Sequence, residues 1–384
     1  MPEVGQAVYE TPEKVSADPK ALRRPWGGLA LPFALATLVL FAYSATFAWR
    51  VHQDGNALNF AVLGTSNTPG NHGYDGQYYY RIAVAPLGGP HGLDKPAYRY
   101  QRIGYPLVAR GLAYGLNIEL PSALVLVNVG AIAFGTLLVA LLLRDAGVSP
   151  LFAVAWAAYA GQVASFWRDL AEPLAMALVA LAILLARRDR WWPAACALLL
   201  AALTKETSLL FVAAAGAHLA FNGRLRLLGA LAAVVGLPYV AWQIGLHVAF
   251  GQTGFGGADR PPMIPFGGLA ATRGLAERLG ELLVVVGPAL LSLALVAAAL
   301  RLAGRSGGRM LLNQAMSLPT LALVANLAFV CWLPGRSYAD LWAAARNADG
   351  LVLAVLTHPA LGSARIRWVL AGAWTCSAPF LWFH

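Results

Sequence analysis

The stretch "PSALVLVNVGAIAFGTLLVALLL", residues 121–143, decides the fold class: it runs 23 residues without a charge and stops at Arg144 and Asp145. A helix needs about 20 such residues to cross the hydrocarbon core of a bilayer. Working outward from it, the rest of the chain has the same character. Of 384 residues, 59% are hydrophobic and only 12% are charged, whereas a soluble domain carries about 25% charged residues. A soluble core of this size cannot hide that much apolar surface, which excludes an ordinary soluble enzyme. The spans are expected to be helices, because each segment in lipid must satisfy its own backbone hydrogen bonds. The expected fold is all-α, a polytopic membrane protein.

Apolar runs of spanning character lie near 28–48, 121–143, 150–166, 170–187, 191–204, 206–222, 226–249, 279–300, 315–334, 347–361 and 366–383, about 11 transmembrane helices in all. Residues 1–27 are polar, with Lys14, Lys20, Arg23 and Arg24 just before the first run. They read as a cytoplasmic tail, followed by a single multi-pass domain over 28–384 with no tandem repeat. The net charge of +10 follows from short basic loops. Arg144, Arg187, Arg188, Arg190, Arg224, Arg226, Arg301, Arg305 and Arg309 alternate with the spans. The positive-inside rule then places the N-terminus inside and makes nucleic acid an unneeded partner. Cys196, Cys331 and Cys376 all sit in apolar runs and suggest core packing.

On this topology twelve of the eighteen acids fall outside or at outer helix ends. Longer outer loops account for part of that skew; a polar, catalytic outer face is the other account. Two outer segments are long, 49–120 and 250–278, the second rich in Gly and Pro and expected to be mobile. A third, "PGRSYADLWAAARNADG", covers 334–350.

Three polar elements interrupt the apolar pattern. The first is "HGYDGQYYYRIA", residues 72–83, followed by "AYRYQRIGYPLVARGLAYG". Asp75 precedes Gly76, a turn signal that puts its carboxylate at a helix start. Tyr78, Tyr79, Tyr80 and Arg81 begin a short amphipathic helix, and residues 104–118 form a second. An aromatic belt at a membrane interface explains the tyrosines but not Asp75 or Gln77. The second element, "FWRDLAEPLAMA" over 166–177, sets Asp169 and Glu172 three residues apart, a spacing that shares a helix face. Helix-start capping is the plain explanation there. In the third, "LTKETSLL" over 203–210, Lys205 and Glu206 lie between two apolar runs, where charge is costly without water or a partner. Thr204 is positioned to cap the following helix.

Together these elements resemble the GT-C superfamily of integral-membrane glycosyltransferases. The likeness rests on Asp75 in "GYDGQYYYRIA", on "RYQRIGYP", on "RDLAEPLA" and on "LTKETSLL", and covers most of residues 28–230. It is similar to bacterial, mannosyltransferase-like members that form cell-surface glycopolymers. The resemblance implies interfacial helices in the first outer loop and a site within 49–120. It implies a polyprenyl-phosphate sugar donor, a glycan or lipid acceptor of the cell envelope, and a bacterial inner membrane location. Under it Asp75 is the candidate catalytic base. Arg81, Arg99, Arg102 and Lys205 are candidates for the phosphate. Gln77, Tyr78, Tyr79, Asp169, Glu172 and Glu206 are further substrate-binding candidates. The first loop has no D-x-D pair, and a divalent cation, Mg or Mn, stays open. The competing readings are a lipid-linked glycan transporter or flippase, and a non-catalytic subunit of a glycopolymer assembly.

Overall fold

A computed structural model describes residues 28–64, 73–272, 274–305, 307–338 and 340–359. The tail at 1–27, the span expected at 366–383 and Cys376 lie outside the described residues. Every regular element among the described residues is a helix. Helix α1 is Ala30–Asp54; the segment between it and α5 holds α2 (Gly76–Val84), α3 (Pro96–Tyr100) and α4 (Gly104–Leu116); α5 is Leu120–Asp145. There follow α6 (Val154–Ala157), α7 (Ala160–Trp167), α8 (Glu172–Arg187), α9 (Trp191–Thr204) and α10 (Leu209–Phe221). The last part contains α11 (Leu225–Leu231), α12 (Leu237–Phe250), α13 (Leu275–Glu281), α14 (Gly287–Gly304), α15 (Gly308–Ala315), α16 (Leu318–Cys331), α17 (Leu341–Asn347) and α18 (Asp349–Thr357).

The eleven expected spans are not eleven long helices. Among the described residues four helices are long and apolar enough to cross a membrane: Ala30–Asp54, Leu120–Asp145, Leu225–Phe250 and Arg278–Gly304. A fifth results if α15 and α16, bent by 56° at their junction, count as one span. The other runs are cut short by their own polar residues. At 1.5 Å per residue the 16 residues of α8 reach about 24 Å, against a hydrocarbon core of about 30 Å. The run at 150–166 is broken into α6 and α7 around Ala158 and Tyr159.

Two of the long helices carry π-turns, Ala232–Gly236 and Leu282–Val286. Pro238 and Pro288 follow within two residues. Proline lacks an N–H and its ring crowds the carbonyl four residues back, and a widened turn accommodates it inside a continuing helix.

Helix α5 is the axis of the molecule, packed by α1, α4 and α8. Most of α5 is buried, whereas α1 and the α11–α12 helix are largely exposed. The two peripheral helices therefore turn large apolar side chains outward, Phe41, Leu237 and Val248 among them. So much exposed apolar surface is what a lipid-facing helix carries. Polar groups collect at the two ends. At one end Arg187 donates to the Thr357 carbonyl, and Arg224 pairs with Asp189. The opposite end carries the α2–α4 segment and the 168–172 and 204–208 hairpins. Cys331 is half-buried, but Cys196 is exposed, so core packing does not hold for it. The Gly/Pro-rich segment expected to be mobile is docked in part: Gly254 N–H donates to Gln243 Oε1 (2.8 Å) and Lys95 Nζ to the Gly257 carbonyl (2.7 Å).

Candidate functional site

Two glycines set the site. A Cβ on Gly76 would stand 2.2 Å from the Arg168 carbonyl oxygen, so only glycine lets α2 start against the α7–α8 hairpin. A Cβ on Gly104 would stand 2.5 Å from Thr204 Oγ1, and its absence brings the start of α4 onto the end of α9. Arg110 anchors the third corner, its Nη1 donating to the Ala83 and Val84 carbonyls at 2.6 Å each. Those are the open carbonyls at the C-terminus of α2. Tyr105 closes the floor: its hydroxyl donates to the Leu124 carbonyl (3.0 Å) and accepts from Asn128 Nδ2 (3.0 Å).

These contacts assemble a network of ion pairs around Asp75. Its Oδ1 accepts from Arg99 Nη1 (2.8 Å) and its Oδ2 from Arg346 Nη2 (2.8 Å), with Arg102 Nη1 at 4.0 Å. Arg346 bridges onward from Nη1 to Glu172 Oε1 (3.3 Å), which also accepts from Lys205 Nζ (2.9 Å). Arg102 grips Glu206 through Nε (2.7 Å) and Nη2, and Arg99 grips Asp94 through Nε (2.8 Å) and Nη2 (2.9 Å). Four carboxylates thus meet four cations. Aromatic rings fill the gaps. Arg99 lies 4.1 Å over Tyr78, Arg102 4.4 Å over Tyr98, and Arg168 4.2 Å over Tyr74. The Tyr74 hydroxyl and Arg168 Nη1 both donate to Asp340, at 2.9 Å each.

The charges sit at helix termini in the sense that helix dipoles favour. Asp75 and Glu172 stand at the starts of α2 and α8; Arg99 and Arg346 lie in the last turns of α3 and α17. Burial pushes the Asp75 carboxyl up, but Arg346 and Arg99 outweigh it and hold the group well below the usual carboxylate range. Burial pushes the Tyr74 hydroxyl up to about 12, with Arg346 opposing.

The sequence-derived candidates divide. Asp75, Arg99, Arg102, Glu172, Lys205 and Glu206 converge in the network. Lys205 meets Glu172 and not an open surface. Tyr78 lies half-buried against Arg99. Tyr79 is buried, its hydroxyl accepting from Arg102 Nη1 (3.3 Å) and its ring edge-on to Tyr105, so it stands behind the site and is not free to stack on a sugar. Gln77 is buried and its Oε1 accepts from Gly64 N–H (3.4 Å). Arg81 is exposed and donates to the Gly92 carbonyl. Six residues on from Asp75, it is turned about 240° around α2 and faces away. Asp169 does not share a helix face with Glu172: it precedes α8 in a left-handed conformation (φ 47°). It is fully buried, and neither carboxyl oxygen makes a hydrogen bond. Thr204 does not cap the next helix but bonds back to the Leu200 carbonyl (2.7 Å).

Sequence reading missed Arg346, Asp94, Tyr74, Tyr98 and Asp340. The signal for Arg346 and Asp340 was their place in the polar segment 334–350. A divalent cation does not fit these residues. Among the described residues no three His, Cys, Asp or Glu side chains converge, and both Asp75 oxygens face guanidinium groups.

Beside the network runs an apolar groove of about 440 Å³ between α4, α5 and α8, lined by Val108, Leu112, Val127, Phe134, Leu174 and Leu178 among others. Tyr79, Tyr105, Leu124, Leu170 and Ala171 pack as one cluster with Leu112, Val127 and Leu174, and form the wall between groove and ion pairs.

Comparison of the chain with family models, curated proteins and solved structures found no match in any of the three. The class that fold and site define is thus a physical one: an all-helical protein with helices able to cross a membrane and a buried ionic centre at one end.

Proposed function

We propose that the protein is a polytopic membrane glycosyltransferase of GT-C type, moving a sugar from a polyprenyl-phosphate donor to a cell-envelope glycan or lipid acceptor. The observation that carries this reading is the convergence of Asp75 with Arg99, Arg102 and Arg346 beside an apolar groove. One carboxylate, several phosphate-binding cations and a slot for an isoprenoid chain are the parts the reaction requires. In the reaction the acceptor hydroxyl gives its proton to Asp75, its oxygen bonds to the sugar's anomeric carbon, and the bond from that carbon to the phosphate oxygen breaks. The phosphate leaves as a stable anion, so no general acid is needed; Arg99 and Arg346 hold the charge that develops on it, and Arg102 and Lys205 add positive field from behind them. The finer topology belongs to this proposal: further spans made of the shorter helices, the N-terminus cytoplasmic, and the site on the outer face of a bacterial inner membrane. A transporter would place its charges near the bilayer midplane, whereas these ion pairs sit at helix ends.

The test is sugar transfer from a polyprenyl-phosphate donor in liposomes. Asp75→Asn keeps the side-chain size but cannot accept the proton, and general base catalysis is worth about 10²–10⁴-fold. Turnover should fall by at least that lower bound in protein that still elutes as a folded species. Near-parental turnover removes Asp75 from catalysis.

A further inference from the structure

The ionic centre has an unresolved problem as a phosphate site: it is already neutral. Asp75, Asp94, Glu172 and Glu206 balance Arg99, Arg102, Lys205 and Arg346, and both Asp75 oxygens are occupied by guanidinium groups. A phosphate cannot bind strongly to cations that are fully engaged, and a carboxylate so engaged is a poor base. Yet Arg346 Nε is buried without a hydrogen-bond partner, as is Glu172 Oε2. Buried groups of this kind are rare and call for an explanation. Besides its two carboxylates Arg346 has a ring beside it: its guanidinium lies 5.1 Å over Tyr74.

We propose that Arg346, with Arg99, exchanges partners when a phosphate anion arrives, passing from the Asp75 carboxylate to the phosphate and so releasing Asp75 to act as the base. The inference rests on the glycosyltransferase reading and deepens it: donor capture and base activation are one event. Arg346 is the pivot because, among the described residues, it alone pairs with both Asp75 and Glu172, and it keeps a spare donor in Nε. Its guanidinium can turn its fork to a phosphate while staying against Tyr74. Arg102 keeps Glu206, and Lys205 keeps Glu172, so the exchange leaves the outer pairs in place.

The exchange makes phosphate and Asp75 competitors, which a merely structural ion pair would not be. Binding of polyprenyl phosphate and of inorganic phosphate is measured by calorimetry on the full chain in detergent. Asp75→Asn, checked for folding by size-exclusion chromatography, should bind polyprenyl phosphate about tenfold more tightly than the parent. Arg346→Gln should bind it at least about tenfold more weakly, and adding Asp75→Asn to Arg346→Gln should recover less than it gains in the parent. Unchanged or weaker binding by folded Asp75→Asn overturns the exchange. Should that variant not fold, a structure of the parent with polyprenyl phosphate decides. Phosphate on Arg346, with the Arg346–Asp75 contact of 2.8 Å broken, supports the exchange; phosphate bound with both Asp75 pairs intact overturns it. Tightening that occurs equally with inorganic phosphate supports the exchange but removes the lipid donor. No binding of either anion overturns both readings.

Discussion

Asp169 is the residue whose chemistry runs against its surroundings. Burial alone pushes its carboxyl well above the usual carboxylate range, with no cation to oppose it. A group whose folded-state pKa is raised in this way costs nothing below the ordinary carboxylate range, and its cost grows as pH rises through that range toward the folded-state value. Asp169→Asn, which is neutral at every pH, should therefore raise the melting temperature in detergent, and by more at pH 8 than at pH 5. A gain that is flat in pH would show that the carboxylate has a partner. If sugar transfer survives the substitution, Asp169 leaves the list of substrate-binding residues. Asp75, twenty-one residues after the end of α1 in no apolar run, was legible because an acid in that setting is unusual. Asp169 looked equivalent in sequence, and only burial without a partner separates the two.

At the scale of elements, α2 is positioned by what it lacks. The Gly76 contact with the Arg168 carbonyl leaves no room for a methyl group. Gly76→Ala should cost about 1–3 kcal/mol, the range for overpacking, and lower transfer further by tilting Asp75 away from Arg346. Gly111 is the matched control: it lies within α4, where a Cβ would meet nothing within 4 Å. There alanine should stabilise the helix by about 0.5–1 kcal/mol. Thermal unfolding of the two variants side by side checks both signs; equal effects would mean that the Gly76 approach is not tight. The α2 and α4 helices were readable from their periodicity. The separation at Lys205 was readable too, since that lysine divides the runs 191–204 and 206–222; the break at Ala158–Tyr159 was not, because a hydropathy window reads across it as one continuous run.

For the whole molecule, orientation rests on the short basic loops. Single cysteines at Gly89 and Asp189, in a chain cleared of Cys196, Cys331 and Cys376, test it in whole cells. The expected outcome is labelling of Gly89→Cys from outside and protection of Asp189→Cys. The reverse pattern inverts the topology and puts the ionic centre on the cytoplasmic face.

What the sequence determined by itself was the solvent and the secondary structure. An apolar fraction of 59% with 12% charge points to lipid as the solvent and to helices as the spans, since no other open structure satisfies its backbone there. It also marked the polar elements as exceptions. What only the tertiary structure decided was which exceptions meet. Arg346 lies 271 residues from Asp75 and 174 from Glu172 along the chain, and no local pattern carries that distance. The partners are chosen by packing. Two glycines, a turned arginine and a central helix bring four acids and four bases to one place, where burial makes each charge depend on the others.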